Sequence, residues 1–173
     1  MRRFIATGAP GSGKSATLAL LAGSAHVVRE AATDVNEAMS AAGIARPEVD
    51  PGFLSRIVSV QRERRLAVVA ELQLHDRSVF CTLALARFLG LGAPRALDEE
   101  LRATRGWFEP RVFFFEPLGF ITSTPVRRIT YADALRFGEV HRAVYQEHGF
   151  DLVQVPAAPP AARAALICGL ISS

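Results

Sequence analysis

The sequence predicts an α/β protein in which a five-stranded parallel sheet lies between two layers of helices. Short apolar segments with strand character alternate five times with segments that have helical spacing. One of the strand segments, residues 111–115, is continuously apolar, as expected when both faces of a sheet are covered. The chain has 173 residues, of which 50% are hydrophobic, enough for one well-buried core. We therefore predict a three-layer α/β/α fold with one domain over residues 1–173.

The order of elements follows from apolar spacing and from turn signals. The predicted strands are residues 3–7, 26–29, 72–75, 111–115 and 151–155. Helical patterns cover residues 15–22, a segment ended by Gly43, and residues 53–70, 82–89, 98–102, 130–148 and 161–170. Asp50-Pro51 marks the start of the long third helix. Thr130-x-x-Asp133 resembles a capping box with Asp in place of Glu, and Gly149 ends the helix that it opens.

The first strand runs into the phosphate-binding pattern G-x-x-x-x-G-K-[ST], which residues 8–15 match at every defined position. The glycines let backbone N–H groups turn inward, where they form an anion site with the N-terminus of the next helix. Lys14, the only lysine of the chain, would reach the β- and γ-phosphates of a nucleotide, and the Ser15 hydroxyl would hold Mg²⁺. The predicted nucleotide-binding residues are Gly8, Ala9, Pro10, Gly11, Ser12, Gly13, Lys14, Ser15 and Ala16.

Charged side chains follow the other strands. Ligands of an open parallel sheet bind at the carboxyl ends of its strands. Phosphoryl transfer there needs a carboxylate for the metal, one for the acceptor hydroxyl, and arginines for the developing charge. Strand ends and the loop after strand four supply Glu30, Asp76-Arg77, Glu116, Arg127 and Arg128. The candidate catalytic residues are Lys14, Glu30, Asp76, Arg77, Arg127 and Arg128, and the candidate metal ligands are Ser15 and Asp76.

Each of these positions also has a structural interpretation. Glu30 and Glu116 could cap helices or pair with nearby arginines. Asp76 and Arg77 could form an ion pair, and the two loop arginines could be solvated. His75 is not a candidate, because the period of two in a strand turns it to the face opposite Asp76.

The phosphate loop, Glu30, the Asp76-Arg77-Ser78 triplet and the arginines of residues 124–128 resemble the nucleoside- and nucleotide-kinase group of P-loop proteins. The chain is most similar there to small ATP-binding proteins with an AAA-type label that are similar to nicotinamide-riboside kinase. The resemblance covers most of the chain, and its phosphate loop is the most specific part. It implies the strand order 2-3-1-4-5, with ATP and Mg²⁺ as cofactors.

The resemblance also implies roles for single residues. Glu30 would orient or deprotonate the acceptor, Asp76 would bind Mg²⁺ directly or through water, and Arg77 would hold the acceptor near the γ-phosphate. A segment of about residues 117–130, which carries Arg127 and Arg128, would be a lid that closes over ATP. Relatives often have an acidic residue a few positions after the triplet. This chain has Phe80-Cys81-Thr82 there, which leaves the identity of the acceptor open.

The leading functional prediction is an ATP- and Mg²⁺-dependent phosphotransferase for a small nucleoside- or nucleotide-like acceptor. A nucleotide-dependent switch or binding module is the alternative. Ring-forming AAA mechanics are disfavoured, because the chain has no room for a second helical domain. A GTPase is disfavoured because an N-K-x-D signature would need a second lysine.

Composition bounds the location and the partners. The net charge is +3, and the arginines are scattered, so nucleic acid is not a favoured partner. Cys81 and Cys168 are far apart, as expected for reduced thiols of a cytoplasmic protein. No apolar run approaches the roughly 18 to 20 residues of a membrane span. The expected partner is a small-molecule acceptor, and the sequence does not indicate an oligomeric state.

Overall fold

The computed structural model describes residues 1–120 and 129–172, and it contains the predicted parallel sheet. The strands are β1 Arg2–Gly8, β2 His26–Val28, β3 Leu72–Asp76, β4 Arg111–Phe115 and β5 Asp151–Val155. Neighbouring strands are parallel, in the order β2-β3-β1-β4-β5. The fold class and the strand order are therefore confirmed.

Helices cover both faces of the sheet. In the described ranges they are α1 Lys14–Ala19, α2 Ala31–Ala41, α3 Phe53–Ala67, α4 Val79–Phe88, α5 Arg95–Ala103, α6 Tyr131–Glu147 and α7 Pro160–Ser172, with a 3-10 turn at Pro47–Val49. One apolar core lies under α1 and α7, and a second lies under α2 to α6. The first and last helices, α1 and α7, thus lie in the same layer.

The central strand β1 explains how the two cores meet. Phe4 and Ala6 belong to the core under α1 and α7, whereas Ile5 belongs to the opposite core. All three residues have no exposed surface. Because both faces of β1 are buried, the strand is a continuous apolar run. Its central position brings the loop that follows it to the middle of the sheet's carboxyl edge.

Helix α3 ends earlier than its apolar pattern predicted. The pattern continued to residue 70, but α3 ends at Ala67, and Val68 has extended backbone with φ −87° and ψ 121°. Leu66 and Val69, which suggested continuation, are 64% and 76% exposed. Apolar spacing alone was therefore misleading here, because these side chains do not pack on the core.

Three further boundaries differ from the prediction by three residues, one of them the start of α5, which lies at Arg95 and not at residue 98. Helix α4 begins at Val79, with Ser78 as its N-cap, and not at residue 82. Helix α1 ends at Ala19 and not at residue 22, because the next N–H groups bond three residues back, Leu20 to Thr17 at 3.1 Å and Leu21 to Leu18 at 3.0 Å. Such i→i+3 turns commonly end an α-helix.

The capping signals of α6 are confirmed. The Thr130 hydroxyl accepts a hydrogen bond from the Asp133 N–H at 3.1 Å and donates one to the Asp133 carboxylate at 2.7 Å. The Asp133 side chain, which is shorter than the Glu of a capping box, thus accepts from the Thr130 hydroxyl. At the other end Gly149 has a positive φ of 78°, which lets the Phe150 N–H reach the Tyr145 carbonyl at 3.0 Å.

Other composition-based expectations agree with the described structure. No helix in these ranges has the length and apolar character needed to cross a bilayer. Cys81 and Cys168 are both free thiols, and Cys81 is buried.

His75 is a buried residue of the core, and its contacts are structural. Its side chain is 5% exposed, and its Nε2 is 3.1 Å from the Gln73 amide oxygen. The rings of Trp107 and Phe108 meet it edge-on at 5.4 and 5.1 Å. Burial, with the charge of Arg3 as a smaller cause, lowers the pKa of His75 from 6.5 to about 3.

This shift predicts acid sensitivity of the fold. Unfolded chains take up a proton on His75 near pH 6.5, whereas the folded protein does so only near pH 3. The free energy of unfolding should therefore fall as the pH drops from about 6.5 towards about 3, by up to about 1.4 kcal/mol per pH unit. Urea titrations at several pH values measure the free energy of unfolding. We expect this free energy to fall less with decreasing pH in His75→Gln than in the wild type. His148→Gln removes an exposed imidazole at the end of α6 and serves as the control, whereas His26 is unsuitable because its charge adds to the shift of His75; an equal change in both variants would contradict the assignment.

Candidate active site

The phosphate-binding loop joins β1 to α1 at the middle of the sheet edge. Gly8 and Gly13 have positive φ angles of 139° and 75°. A Cβ atom at Gly8 would lie 2.5 Å from the Phe115 carbonyl oxygen, and one at Gly13 would lie 2.6 Å from the Arg163 Nη2. Both glycines are therefore required by backbone conformation and by space. The loop thus has the strand before it and the helix after it that the sequence pattern requires, and nucleotide binding by its residues stays a prediction.

Lys14 is the first residue of α1 and is only 6% exposed. Burial is the largest influence on the Lys14 ammonium and lowers its pKa, and the charge of Arg77 acts in the same direction. Asp76 and Glu30 partly oppose this shift. The single lysine of the chain thus lies inside a cluster of charges and not on the surface.

Asp76 and Ser15 meet across the loop. Register in the sheet places Asp76 beside Ala6 of β1. The Ser15 hydroxyl donates a hydrogen bond to Asp76 Oδ2 at 3.4 Å, while Asp76 Oδ1 is buried without a hydrogen-bond partner in the described structure. Burial raises the pKa of the Asp76 carboxyl, and Glu30 adds to the rise, although Lys14 and Arg77 oppose it.

These two side chains fit a small divalent cation. Mg²⁺ prefers oxygen ligands and usually keeps several waters, so it needs few protein ligands when phosphate oxygens supply the rest. The free Asp76 Oδ1 and the adjacent Ser15 Oγ provide such oxygens. Within the described ranges, no group of three or more His, Cys, Asp or Glu side chains could hold a metal alone. The donor set therefore suits a metal shared with phosphates.

Arg77 adopts a strained backbone conformation next to Asp76. Its φ is 67°, a value that non-glycine residues rarely adopt, and its N–H donates to the Ala6 carbonyl at 2.9 Å. Its Nε lies 2.7 Å from Glu30 Oε1, in an ion pair that is not aligned as a hydrogen bond. Burial is the largest single influence and lowers the pKa of Arg77, but Glu30, Cys81 and Asp76 together outweigh it, and the net shift is upward. Strain of this kind persists where the surroundings hold the residue firmly.

His141 of α6 holds the other end of Arg77 and was missed by sequence reasoning. Its ring is fully buried, with Nδ1 2.9 Å from the Phe137 carbonyl and Nε2 2.9 Å from Arg77 Nη1. A neutral ring that donates from Nδ1 accepts from Arg77 at Nε2. Burial and the charge of Arg77 both lower the pKa of His141, which favours this neutral form. No sequence motif predicts the contact between His141 and Arg77.

Glu30 is fixed by side chains from two helices. Although it is the N-cap residue of α2, its side chain makes no cap hydrogen bond. The carboxylate pairs with Arg77 and accepts from the Thr33 hydroxyl at 3.1 Å. Arg64 of α3 donates to the Arg29 and Glu30 carbonyls, both at 2.8 Å. Of the two structural interpretations of Glu30, the arginine partner is the one observed.

Glu30 and Asp76 border a cleft between α1 and α2. Its volume is about 310 Å³, within the range of small-molecule sites. The residues that line it are Ser15, Leu18, Ala19, Val27, Arg29, Glu30, Thr33, Asp34 and Asp76. A smaller cavity of about 30 Å³ lies behind Asp76 and Arg77, towards α3 and α5. The larger cleft is the one that opens beside the phosphate loop.

The remaining predicted residues are Glu116, Arg127 and Arg128. Arg127 and Arg128 lie at residues 121–128, outside the described residues, as does the middle of the predicted lid. Glu116 follows β4, where its N–H donates to the Val155 carbonyl at 3.0 Å. The structure thus brings together Lys14, Ser15, Glu30, Asp76 and Arg77.

Comparisons with known proteins agree with this geometry. No curated protein sequence matches the chain. Among solved structures, deoxyadenosine kinase from M. mycoides with the products dCMP and dCDP has a TM-score of 0.64 at 12% identity, covering 98% of both chains. The same enzyme with dATP has a TM-score of 0.58 at 13% identity, covering 100% of both chains. Thymidylate kinase from Ehrlichia chaffeensis has a TM-score of 0.64 at 14% identity, covering 99% of this chain and 98% of its own.

At such identities the likeness to the two kinases shows a shared fold. A family model described as an AAA domain matches residues 3–163, which is nearly the whole chain and includes the phosphate loop, Glu30, Asp76 and Arg77. The chain therefore belongs to this AAA-domain family and has the P-loop fold that deoxyadenosine and thymidylate kinases share.

Proposed function

We propose that the protein transfers the γ-phosphoryl group of ATP to a small nucleoside- or nucleotide-like acceptor, with Mg²⁺ as cofactor. The observation that carries this proposal is the cluster formed by Lys14, Asp76 and the Glu30–Arg77 pair, of which Glu30 and Asp76 line the cleft beside the phosphate loop. The similar folds of a deoxyadenosine kinase and a thymidylate kinase support the acceptor class. The resemblance to nicotinamide-riboside kinase adds nicotinamide riboside to the candidate acceptors.

The phosphate loop and Lys14 bind the nucleotide. Backbone N–H groups of residues 8–15 and the start of α1 surround the phosphates, and the Lys14 ammonium adds a point charge at the β- and γ-phosphates. Because Lys14 is almost fully buried, its charge is weakly screened and acts strongly on a phosphate that enters the loop.

Ser15 and Asp76 would hold Mg²⁺ through Oγ and the unpartnered Oδ1. The metal would supply a Lewis acid that neutralises charge on the β- and γ-phosphate oxygens. The charge of Lys14 favours the ionised form of the Asp76 carboxyl, which is the form that binds a metal, although burial favours the neutral acid.

Glu30 and Arg77 act on the acceptor side. The acceptor hydroxyl loses its proton to the Glu30 carboxylate while its oxygen forms a bond to the γ-phosphorus and the bond to the ADP oxygen breaks. Arg77, held by His141, neutralises charge on the phosphoryl group during transfer. Since Glu30 and Arg77 pair with each other in this structure, the acceptor must insert between them or share their contact. Arg127 and Arg128 are proposed to add positive charge from the lid.

The experiment that tests the function is ADP release measured against a panel of nucleosides, nucleoside monophosphates and nicotinamide riboside. A kinase releases ADP much faster with one acceptor than without it. The alternative function, a nucleotide-dependent switch, gives slow ADP release that none of the acceptors changes and that only a protein partner accelerates.

We expect Lys14→Ala to lose tight ATP binding, by about a hundredfold or more in Kd, because the loop loses its buried point charge on the phosphates. Isothermal titration calorimetry with ATP measures this change. Arg62→Ala removes an exposed cation from α3 and controls for net charge. Unchanged affinity in Lys14→Ala would refute the assignment of the loop.

We expect Asp76→Asn to lower acceptor-dependent turnover by roughly a hundredfold while weakening ATP binding much less, because metal-held charge matters most during transfer. The melting temperature of the nucleotide-free variant checks that it stays folded, because Asp76→Asn removes the carboxylate that partly offsets the buried charge of Lys14. Turnover, ATP affinity and melting temperature are compared with Asp98→Asn, which replaces an exposed carboxylate of α5. Wild-type turnover in Asp76→Asn would assign the metal to Glu30 or Glu116.

A further inference from the structure

We propose that Arg163 of α7 is a positioning residue of the phosphate-binding loop, which fixes one peptide group of the loop and adds a buried positive charge to the nucleotide site. The inference rests on the proposed function of the loop as a polyphosphate site. Arg163 belongs to no motif of the sequence, and it lies 151 residues from the loop that it contacts.

The contact is direct and enclosed. Arg163 is only 2% exposed, and its Nη1 donates a hydrogen bond to the Ser12 carbonyl at 2.6 Å. Its guanidinium carbon lies 5.6 Å from the centre of the Phe115 ring. On the loop side, Nη2 occupies the space that a side chain at Gly13 would need. The absence of a side chain at Gly13 therefore lets the guanidinium lie against the loop backbone.

This contact sets the direction of one loop amide. In a trans peptide the C=O and the N–H point to opposite sides, and no described peptide bond is cis. Since the Ser12 carbonyl points to Arg163, the N–H of Gly13 points away from Arg163. Arg163 thus selects the orientation in which this N–H can face an anion. Preorganised donors of this kind need no reorganisation when phosphate binds.

The charge of Arg163 is not compensated in the described structure. Across residues 1–120 and 129–172, no carboxylate forms an ion pair with it. Its Nε is buried without a hydrogen-bond partner, and burial lowers the pKa of the guanidinium. In contrast, the largely buried Arg65 and Arg77 are paired with Glu100 and Glu30.

A buried cation without a counter-ion costs stability, so its retention calls for an anion that binds nearby. The anion that the adjacent loop is shaped to take is the polyphosphate of a nucleotide. Arg163 therefore contributes to binding through the loop amide and through an attraction that solvent screens weakly.

The test compares Arg163→Met, Arg163→Lys and Arg2→Met. Arg2 is the matched control, because its Nη1 also donates to α7, at the Ile171 carbonyl over 2.7 Å, and its guanidinium lies over Phe4. The melting temperature is measured without nucleotide, and Kd is measured by calorimetry for ATP, ADP and AMP in EDTA, which separates phosphate binding from the metal.

We expect Arg163→Met to weaken ATP and ADP binding by about tenfold or more and AMP binding less, because the lost charge acts on the polyphosphate. Arg163→Lys should recover part of the affinity, since it keeps the charge. Arg2→Met should bind all three nucleotides like the wild type. The melting temperature of nucleotide-free Arg163→Met should fall no further than that of Arg2→Met, because an unpaired buried charge has been removed.

Wild-type ATP and ADP affinity in Arg163→Met would overturn the inference while leaving the kinase function intact. A loss of affinity in Arg163→Met that matches a parallel loss in Arg2→Met would also overturn it, because α7 docking alone would then account for the effect. Wild-type protein that binds ATP but transfers no phosphoryl group would refute the kinase function and leave the role of Arg163 standing. Wild-type protein that binds no ATP would refute both.

Discussion

The burial of Lys14 beside Asp76 is the constraint on which the rest of the site depends. Burial lowers the pKa of the Lys14 ammonium and raises that of the Asp76 carboxyl, so both groups are held where their charged forms are disfavoured. Their mutual attraction offsets part of this cost. A metal–polyphosphate group would complete the set, because its phosphates match Lys14 and its cation matches Asp76. Arg163 is likewise a buried cation in contact with the loop, and a polyphosphate would match its charge too.

The surrounding helices hold these charges in place. Gly138 of α6 packs on the loop, since a Cβ at this glycine would lie 3.4 Å from the Ala9 Cβ. One turn further along, His141 fixes Arg77. Tyr145 of the same helix bonds to Ser78, with 2.7 Å between the two hydroxyl oxygens. Helix α6 therefore supports both the loop and the backbone that follows Asp76, and the positive φ of Arg77 is maintained by contacts on both sides.

Sequence reasoning succeeded where the signal is local. The strands, their parallel arrangement and the phosphate loop depend on short apolar runs and on glycines at fixed spacing, which can be read directly from the chain. It could not find the residues that orient the site. Arg64, His141 and Arg163 reach their partners across 34, 64 and 151 residues, respectively. His141 is the only histidine of α6 and Arg163 is the only charged residue of α7, but no local pattern in the sequence indicates which distant residues they contact. The roles of Glu30, Asp76 and Arg77 in transfer stay predictions, although the structure brings their side chains into one charged cluster.

The most direct test of this account is a crystal structure with Mg²⁺ and a non-hydrolysable ATP analogue. The phosphates should bind to the backbone amides of the loop at residues 8–15, with the Lys14 ammonium at the β- and γ-phosphate oxygens. Mg²⁺ should lie about 2.1 Å from Ser15 Oγ and reach Asp76 Oδ1 directly or through one water. A polyphosphate bound outside the loop, or a metal held by Glu116 with Asp76 bonded only to Ser15, would contradict it.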